Sequence, residues 1–487
     1  MGVDCVPEHD SRTTPRERVG ASDGIFGPVH RWMTFTCVLG MSVVAFEGLA
    51  VTTIAPLVAG DLGGVSLYGW VFSAFLLAQI VGTVAAGQLV DRRGIAAPFL
   101  ASLALFGAGL GVSGSAATMS LLVLGRALQG LGAGGLATGA YALVNTQYPD
   151  RLRARMVASI SSAWVLPALI GPAVAGFVAE RFSWRVVFLG LGPLLVLAAA
   201  ISISAFRRID ATTNGAPSRS SRARLGAAVV LACGTAVLLT GLQTLPSLGS
   251  VALAIVGLVA VTPSLRRLMP EGTFAARRGL PAILASRGLF IGGFFCADAF
   301  LVLALTSLGG YSVTAAGLGL SAGSLSWTVG SWVHERLDAR STRGRRPTVI
   351  VGVGLLLAGT VLLSSPVFVG ERPTLVIALG GWLLSGLGIG LAHSTSSTVT
   401  FALAPEGREG EVSSSLQLAD FFCPGVAIGL GGAFVDIAES SAGGLRLGVA
   451  LAFSLSILLV TLAFLSSLRV PSGNRRGQFP TPRGRLA

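Results

Sequence analysis

The chain has 487 residues, 52% of them hydrophobic and 12% charged, with a mean hydropathy of +0.76 and a net charge of +13. A water-soluble enzyme of this length carries about twice that charged fraction, so a soluble fold is excluded and an all-α, polytopic membrane protein is expected. All 35 basic residues are arginine; without lysine there is no Walker A lysine for a nucleotide phosphate and no lysine Schiff base.

In chain order, residues 1–31 are polar, carry Arg12, Arg16 and Arg18, and lack the short apolar core and cleavage site of a signal peptide. They are expected to form a disordered cytoplasmic head. Fourteen apolar segments follow, at 32–57, 67–90, 97–114, 119–145, 156–179, 184–206, 225–243, 248–265, 288–308, 313–337, 347–367, 374–402, 412–436 and 445–468. Each is long enough to cross a hydrocarbon layer of about 30 Å. With the N-terminus in the cytoplasm, 30 arginines, Arg287 among them, fall in inner connections and tails. Only Arg181, Arg185, Arg372 and Arg446 fall outside, and Arg126 stays in the membrane. This asymmetry predicts fourteen spans with both termini cytoplasmic. It also places the basic charge on connections and not on a nucleic-acid face. Cys5, Cys37, Cys233, Cys296 and Cys423 show no metal-ligand spacing and read as small hydrophobes.

Charged side chains at membrane depth are functional candidates. The fourth segment holds Arg126 in LLVLGRALQGLGAGG with no acidic residue within twenty positions, and the first holds Glu47. Asp298 lies among aromatics in FFCADAF. Asp420 shares a helical stripe with Gln417 and Ser413, at i, i+4 and i+7 spacing. Either acid could bind a cationic substrate or a second proton, or be hydrogen-bonded to a neighbouring helix. His393 opens the polar run HSTSSTVT and reads either as an interhelical hydrogen-bonder or as a gate titrating near neutrality. Phe294, Phe295 and Trp327 could wall a cavity or simply pack.

The glycine-rich fourth segment has a partner in the twelfth. LQGLGAGG (128–135) aligns with LSGLGIGL (384–391) at an offset of 256, and the same offset pairs Gly125 with Gly381, Pro149 with Pro405, Ser159 with Ser415 and Gly176 with Gly432. GQLVDRRG (87–94) has a fainter echo in GSWVHERL (330–337). Glycines four apart let helices approach closely in lipid. The organisation expected is a six-helix bundle (32–206), a linker with two extra helices (207–287), a second six-helix bundle (288–468) and a basic cytoplasmic tail (469–487), the bundles being parallel repeats.

These features resemble the major facilitator superfamily, in particular its fourteen-helix drug:proton antiporters. Gly87, Leu89, Asp91, Arg92 and Gly94 match the loop signature after the second helix, with Ile95 and Ala96 where a basic pair normally follows. Arg126 occupies the arginine place of the fourth-helix signature. Gly171, Pro172 and Gly176 in PALIGPAVAG match the fifth-helix antiporter signature, with Pro167 where a glycine is usual. FEGLAVTTIAP (46–56) resembles the first-helix signature, with Glu47 in place of aspartate. The resemblance implies a central cavity shared by the first and fourth helices, across which Arg126 can reach Glu47. Burial favours the protonated acid and the cation favours the carboxylate, so Glu47 is the expected proton-coupling residue; a static ion pair is the bland alternative. Asp91 and Arg92 would latch a cytoplasmic gate through Arg151 or Arg153, and Gly171-Pro172 would kink or tighten the fifth span.

The function expected is proton-coupled export of hydrophobic or cationic small molecules by alternating access in a bacterial inner membrane. The chain is expected to act as a monomer, with the proton as coupling ion, no cofactor, no metal and no nucleic-acid partner. A metabolite importer or exchanger, or a lipid or glycolipid exporter, is the alternative. An intramembrane enzyme is disfavoured, since no span carries HExxH, GxSxG or a paired Asp/His cluster.

Overall fold

The computed structural model describes residues 24–28, 30–207, 219–245, 247–340, 345–405, 408–439 and 443–471. Most of the expected head, the tail from 472, and parts of the 207–224 and 336–346 arginine clusters lie outside the described residues. Within them the chain folds as α1 (Arg31–Leu62), α2 (Tyr68–Arg93), α3 (Ala96–Gly114), α4 (Met119–Gln147), α5 (Asp150–Ser162), α6 (Val165–Arg181), α7 (Trp184–Leu189) and α8 (Gly192–Phe206). It continues as α9 (Arg219–Gln243), α10 (Leu248–Leu268), α11 (Leu280–Leu303), α12 (Val313–Arg340), α13 (Arg346–Phe368), α14 (Leu375–Ala402), α15 (Glu409–Glu439) and α16 (Gly444–Ser467). The pairs α5/α6 and α7/α8 each make one rod, which gives fourteen crossings of a multi-pass membrane protein. Helices are required because lipid offers backbone amides no partner.

Thirteen rods are long and apolar enough to cross a membrane. The remaining one, α12, has the length at 28 residues, but its serines and glycines lower its hydropathy. Turn chemistry ends the rods where the sequence allows. Gly63 closes α1 in the left-handed region at φ 62°, its N–H donating to the Ala59 carbonyl. Thr118 opens α4 by accepting from the Leu121 amide at 3.3 Å.

The fifth span breaks, and Gly171-Pro172, expected to kink or tighten it, is not the break. Both residues lie inside α6, and the interruption is at Ala163–Trp164. Ser161 and Ser162 donate to the carbonyls of Val157 and Ala158 at 3.1 and 2.9 Å. Such back-bonding loosens and bends a helix.

Glycine sets the packing. A Cβ on Gly130 or Gly134 would strike the carbonyls of Phe75 or Gln79 on α2, and one on Gly386 or Gly390 would strike those of Gly323 or Trp327 on α12. The offset of 256 read on α4 and α14 is therefore matched by an offset of 248 on the helices they touch. Two seams join the α1–α8 group to the α11–α16 group: α2 against α15, and α6 against α12. In the first, Gly69 meets Gly432 backbone to backbone; in the second, Gly176 meets Thr314 and Gly317 meets the Pro172 carbonyl. These contacts all lie toward the arginine-poor end of the bundle. The α9–α10 hairpin lies across the first seam: Ala228, Leu231, Val261 and Leu265 share a small core with Leu77 and Ile80 of α2 and Leu418 and Phe422 of α15. Trp70 Nε1 donates to Gln243 Oε1 there at 2.7 Å.

Candidate functional site

Helix α4 carries Arg126 into the protein interior with 2% of its surface exposed, and α1 presents Glu47 with 1% exposed. Arg126 Nη1 donates to Glu47 Oε1 and to Gln129 Oε1 at 2.6 Å. Its Nε donates to the Val71 carbonyl at 2.8 Å, and the guanidinium lies over the Phe75 ring, 4.4 Å from its centroid. The cation is thus held by α1, α2 and α4 together. Glu47 Oε2 and Gln129 Nε2 have no hydrogen-bond partner among the described residues. A proton can sit on Oε2 while Oε1 still accepts from Arg126.

A second buried ion pair was not foreseen. Arg287, counted above with a cytoplasmic connection, lies inside α11 with 2% exposed. Its Nε and Nη2 grip the two carboxylate oxygens of Asp420 at 2.6 and 2.9 Å. Nη1 donates to the His393 carbonyl and to the Ser396 and Ser397 hydroxyls, at 3.1, 2.9 and 2.7 Å. Nη2 also meets His393 Nε2 at 2.7 Å, so that nitrogen accepts and the ring proton sits on Nδ1. Asp420 and His393 are therefore drawn together by an arginine that the sequence reading left in a loop. Gln417, one turn from Asp420, is half-buried outside this network.

Phe294 stacks on Trp382 at 4.7 Å and meets Trp327 and Phe295 edge-on, both at 5.4 Å. Trp327 also meets the His393 ring at 5.4 Å. The three aromatics singled out in the sequence thus form one wall with Trp382, beside the Arg287 cluster. Asp298, one turn above Phe294 on α11, is 9% exposed, and the Tyr68 hydroxyl of α2 donates to the carbonyl of the next residue, Ala299, at 2.7 Å.

At the arginine-rich end, Asp91 is exposed, and Arg153 pairs with Asp150 at 2.6 Å, not with Asp91. Arg92 is half-buried, Gly94 turns the chain at φ 73°, and a Cβ on Gly87 would sit 3.8 Å from Thr138. Midway along the bundle, Pro167 and Ala175 line an apolar cavity of about 360 Å³ between α1, α6 and the α7–α8 rod. Glu180, which sequence reasoning passed over, accepts from the Val313 and Thr314 amides at 2.5 and 3.2 Å and from the Thr314 hydroxyl. It caps α12 across the second seam.

Fourteen membrane-crossing rods, packed through repeated glycine contacts around two buried ion pairs, define a polytopic membrane transporter. The profile of the Major Facilitator Superfamily matches residues 36–427, and the chain belongs to that superfamily, whose members are transporters and not enzymes. It is 26% identical over 461 residues to a probable multidrug-efflux transporter of Mycobacterium tuberculosis (strain ATCC 25618 / H37Rv), covering 90% of this chain and 96% of the relative. It is 25% identical over 399 residues to the multidrug transporter protein MdtP of Bacillus subtilis (strain 168), covering 79% and 71%. Among solved structures, a D-xylose-proton symporter matches with a TM-score of 0.65 at 15% identity, over 92% of this chain and 99% of that one. At that identity the likeness concerns the fold.

Proposed function

We propose that this chain is a proton-coupled exporter of hydrophobic or cationic small molecules, working as a monomer by alternating access in a bacterial plasma membrane with both termini cytoplasmic. The moving halves would be 32–206 and 288–468, with 207–287 between them. The relatives named for multidrug efflux support the direction and breadth of transport. The observation that carries the coupling is the Glu47–Arg126 pair, in which a fully buried carboxyl has one oxygen on the guanidinium and the other unpartnered. Proton gain at Glu47 neutralises the only carboxylate partner that Arg126 has among the described residues and leaves a hydrogen bond in place of an ion pair, and a change in pairing between α1 and α4 is what an alternating cycle needs. Both seams are closed at the arginine-poor end, which supports reading this as the state open toward the cytoplasm. Asp91, free of Arg153, fits an open cytoplasmic latch.

The test is ethidium transport by Glu47→Gln in proteoliposomes under an imposed pH gradient. The wild-type chain moves the dye when the gradient is applied and stops with a protonophore. Glu47→Gln should lose at least nine-tenths of the gradient-driven flux. Undiminished flux in this variant would remove Glu47 from the coupling mechanism.

A further inference from the structure

The apolar cavity between α1, α6 and the α7–α8 rod takes no part in either ion pair. Its floor is buried protein, with Val43, Pro167 and Val187. Its rim is not: Ile170, Val174 and Val186 are 41%, 41% and 43% exposed. It is therefore a groove open sideways to the bilayer. It follows α6 from Pro167 to Val178, about 17 Å at the helical rise, and one leaflet of a hydrocarbon core is about 15 Å deep. The groove thus has the length and direction of a single acyl chain lying along the helix. Left empty, its walls would forfeit their dispersion contacts. Charge adds a second observation. Val174, Val178 and Arg181 share one stripe of α6, at i, i+4 and i+7, so the groove runs up to a guanidinium at the end of the span. Arg181 is exposed and has no ion pair among the described residues. The acids near it are engaged elsewhere: Glu180 caps α12, and Asp61 accepts from Trp184 and Arg185, both at 2.9 Å. An unbalanced cation at headgroup level favours a lipid with net negative charge.

We propose that this groove holds an anionic phospholipid of the leaflet at the arginine-poor end, with one acyl chain between α1, α6 and the α7–α8 rod and its phosphate on Arg181. In the orientation proposed above, that leaflet is the outer one. The lipid belongs to the first bundle. Pro172 and Gly176, which meet α12, lie on the face of α6 turned away from the groove, so the acyl chain backs the helix that forms the second seam. The proposal goes beyond the transport reading and depends neither on Glu47 nor on the direction of export.

The experiment is photo-crosslinking of the full chain in phosphatidylcholine nanodiscs that carry a trace of lipid with a diazirine on its acyl chain. The probe is phosphatidylglycerol in one sample and phosphatidylcholine in the other, and labelled peptides are mapped by mass spectrometry. In the wild-type chain, phosphatidylglycerol should label 167–178 and 186–194 more than phosphatidylcholine does. The expected excess is about fivefold, the factor that one arginine at a charged lipid surface supplies. The lipid-facing side of α10, where Val256 and Val259 are 60% and 67% exposed, should show equal labelling by the two probes. Arg181→Gln should abolish the excess at the groove. Val174→Trp, which fills the groove from its rim, should abolish the excess and lower the labelling by both probes. Unchanged labelling of α10 and a monodisperse elution peak show that each variant is folded. Equal labelling by the two probes in the wild-type groove, or an excess that survives either substitution, overturns the proposal. Displacement of the phosphatidylglycerol label by ethidium would assign the groove to transported molecules and overturn it as well.

Discussion

Replacing Arg287 by methionine tests whether the second ion pair holds the α11–α14–α15 corner together. The substitution keeps much of the apolar stem but removes the fork on Asp420 and the bonds to His393, Ser396 and Ser397. Removing one partner of a buried pair costs about 3–5 kcal/mol because the other charge is left uncompensated. The Asp420 side chain keeps 21% of its surface exposed, so water meets part of that cost and the lower end, about 3 kcal/mol, is expected. Removing both charges in Arg287→Met/Asp420→Leu should recover most of the loss, since replacing a whole buried pair by apolar groups is often neutral. A thiol-reactive fluorogenic dye can follow thermal unfolding in detergent, because Cys37 and Cys296 are buried while Cys233 supplies a constant background. For a chain of this size the single variant should melt roughly 3–6 °C lower, taking about 1–2 °C per kcal/mol from the fall of that slope with length. A single variant that melts with the wild type, or a double variant that melts as low as the single, would refute the reasoning.

Glu180→Ala should loosen the α6–α12 seam. Amide exchange across 313–317 is expected to rise by roughly tenfold at most, given about 1.5 kcal/mol for a hydrogen bond to a charged group that is here partly screened by solvent; no rise would show that Glu180 does not latch this end. Gly130→Val should push α2 off α4 and sharply cut the yield of monodisperse protein in size-exclusion chromatography. Gly87→Ala, whose added carbon meets only Thr138 at 3.8 Å, should match the wild type, and equal yields from the two variants would contradict the packing argument.

The fourteen crossings were legible as apolar runs of the right length, and Glu47 and Arg126 singly as charges where charge is costly; that the two meet followed from the family resemblance, not from a local signal. Arg287 was not legible because the ninth segment was started at 288. Gly279 at φ 103° and Pro281 in the first turn of α11 mark a start eight residues earlier. Glycine before a proline-led turn is the cue that could have drawn Arg287 into the membrane. Glu180 fell one residue beyond the fifth segment, and its partners on α12 are more than 130 positions away, a pairing that no local pattern encodes. Of the two outcomes expected at Gly171-Pro172, the structure has tight packing: Gly317 fits over the Pro172 carbonyl and α6 continues through it. The interruption upstream at Ala163–Trp164 has no glycine or proline to announce it.

The α9–α10 hairpin makes the two flanks of the transporter unequal. It stands across the line where α2 meets α15, while the line where α6 meets α12 is bare, with Leu166, Phe177 and Leu318 each more than half exposed toward the surrounding lipid. A greasy molecule diffusing in the plane of the bilayer therefore finds one side walled by the hairpin. Among the described residues, the opposite line, along the proline and glycines of α6, has no such cover.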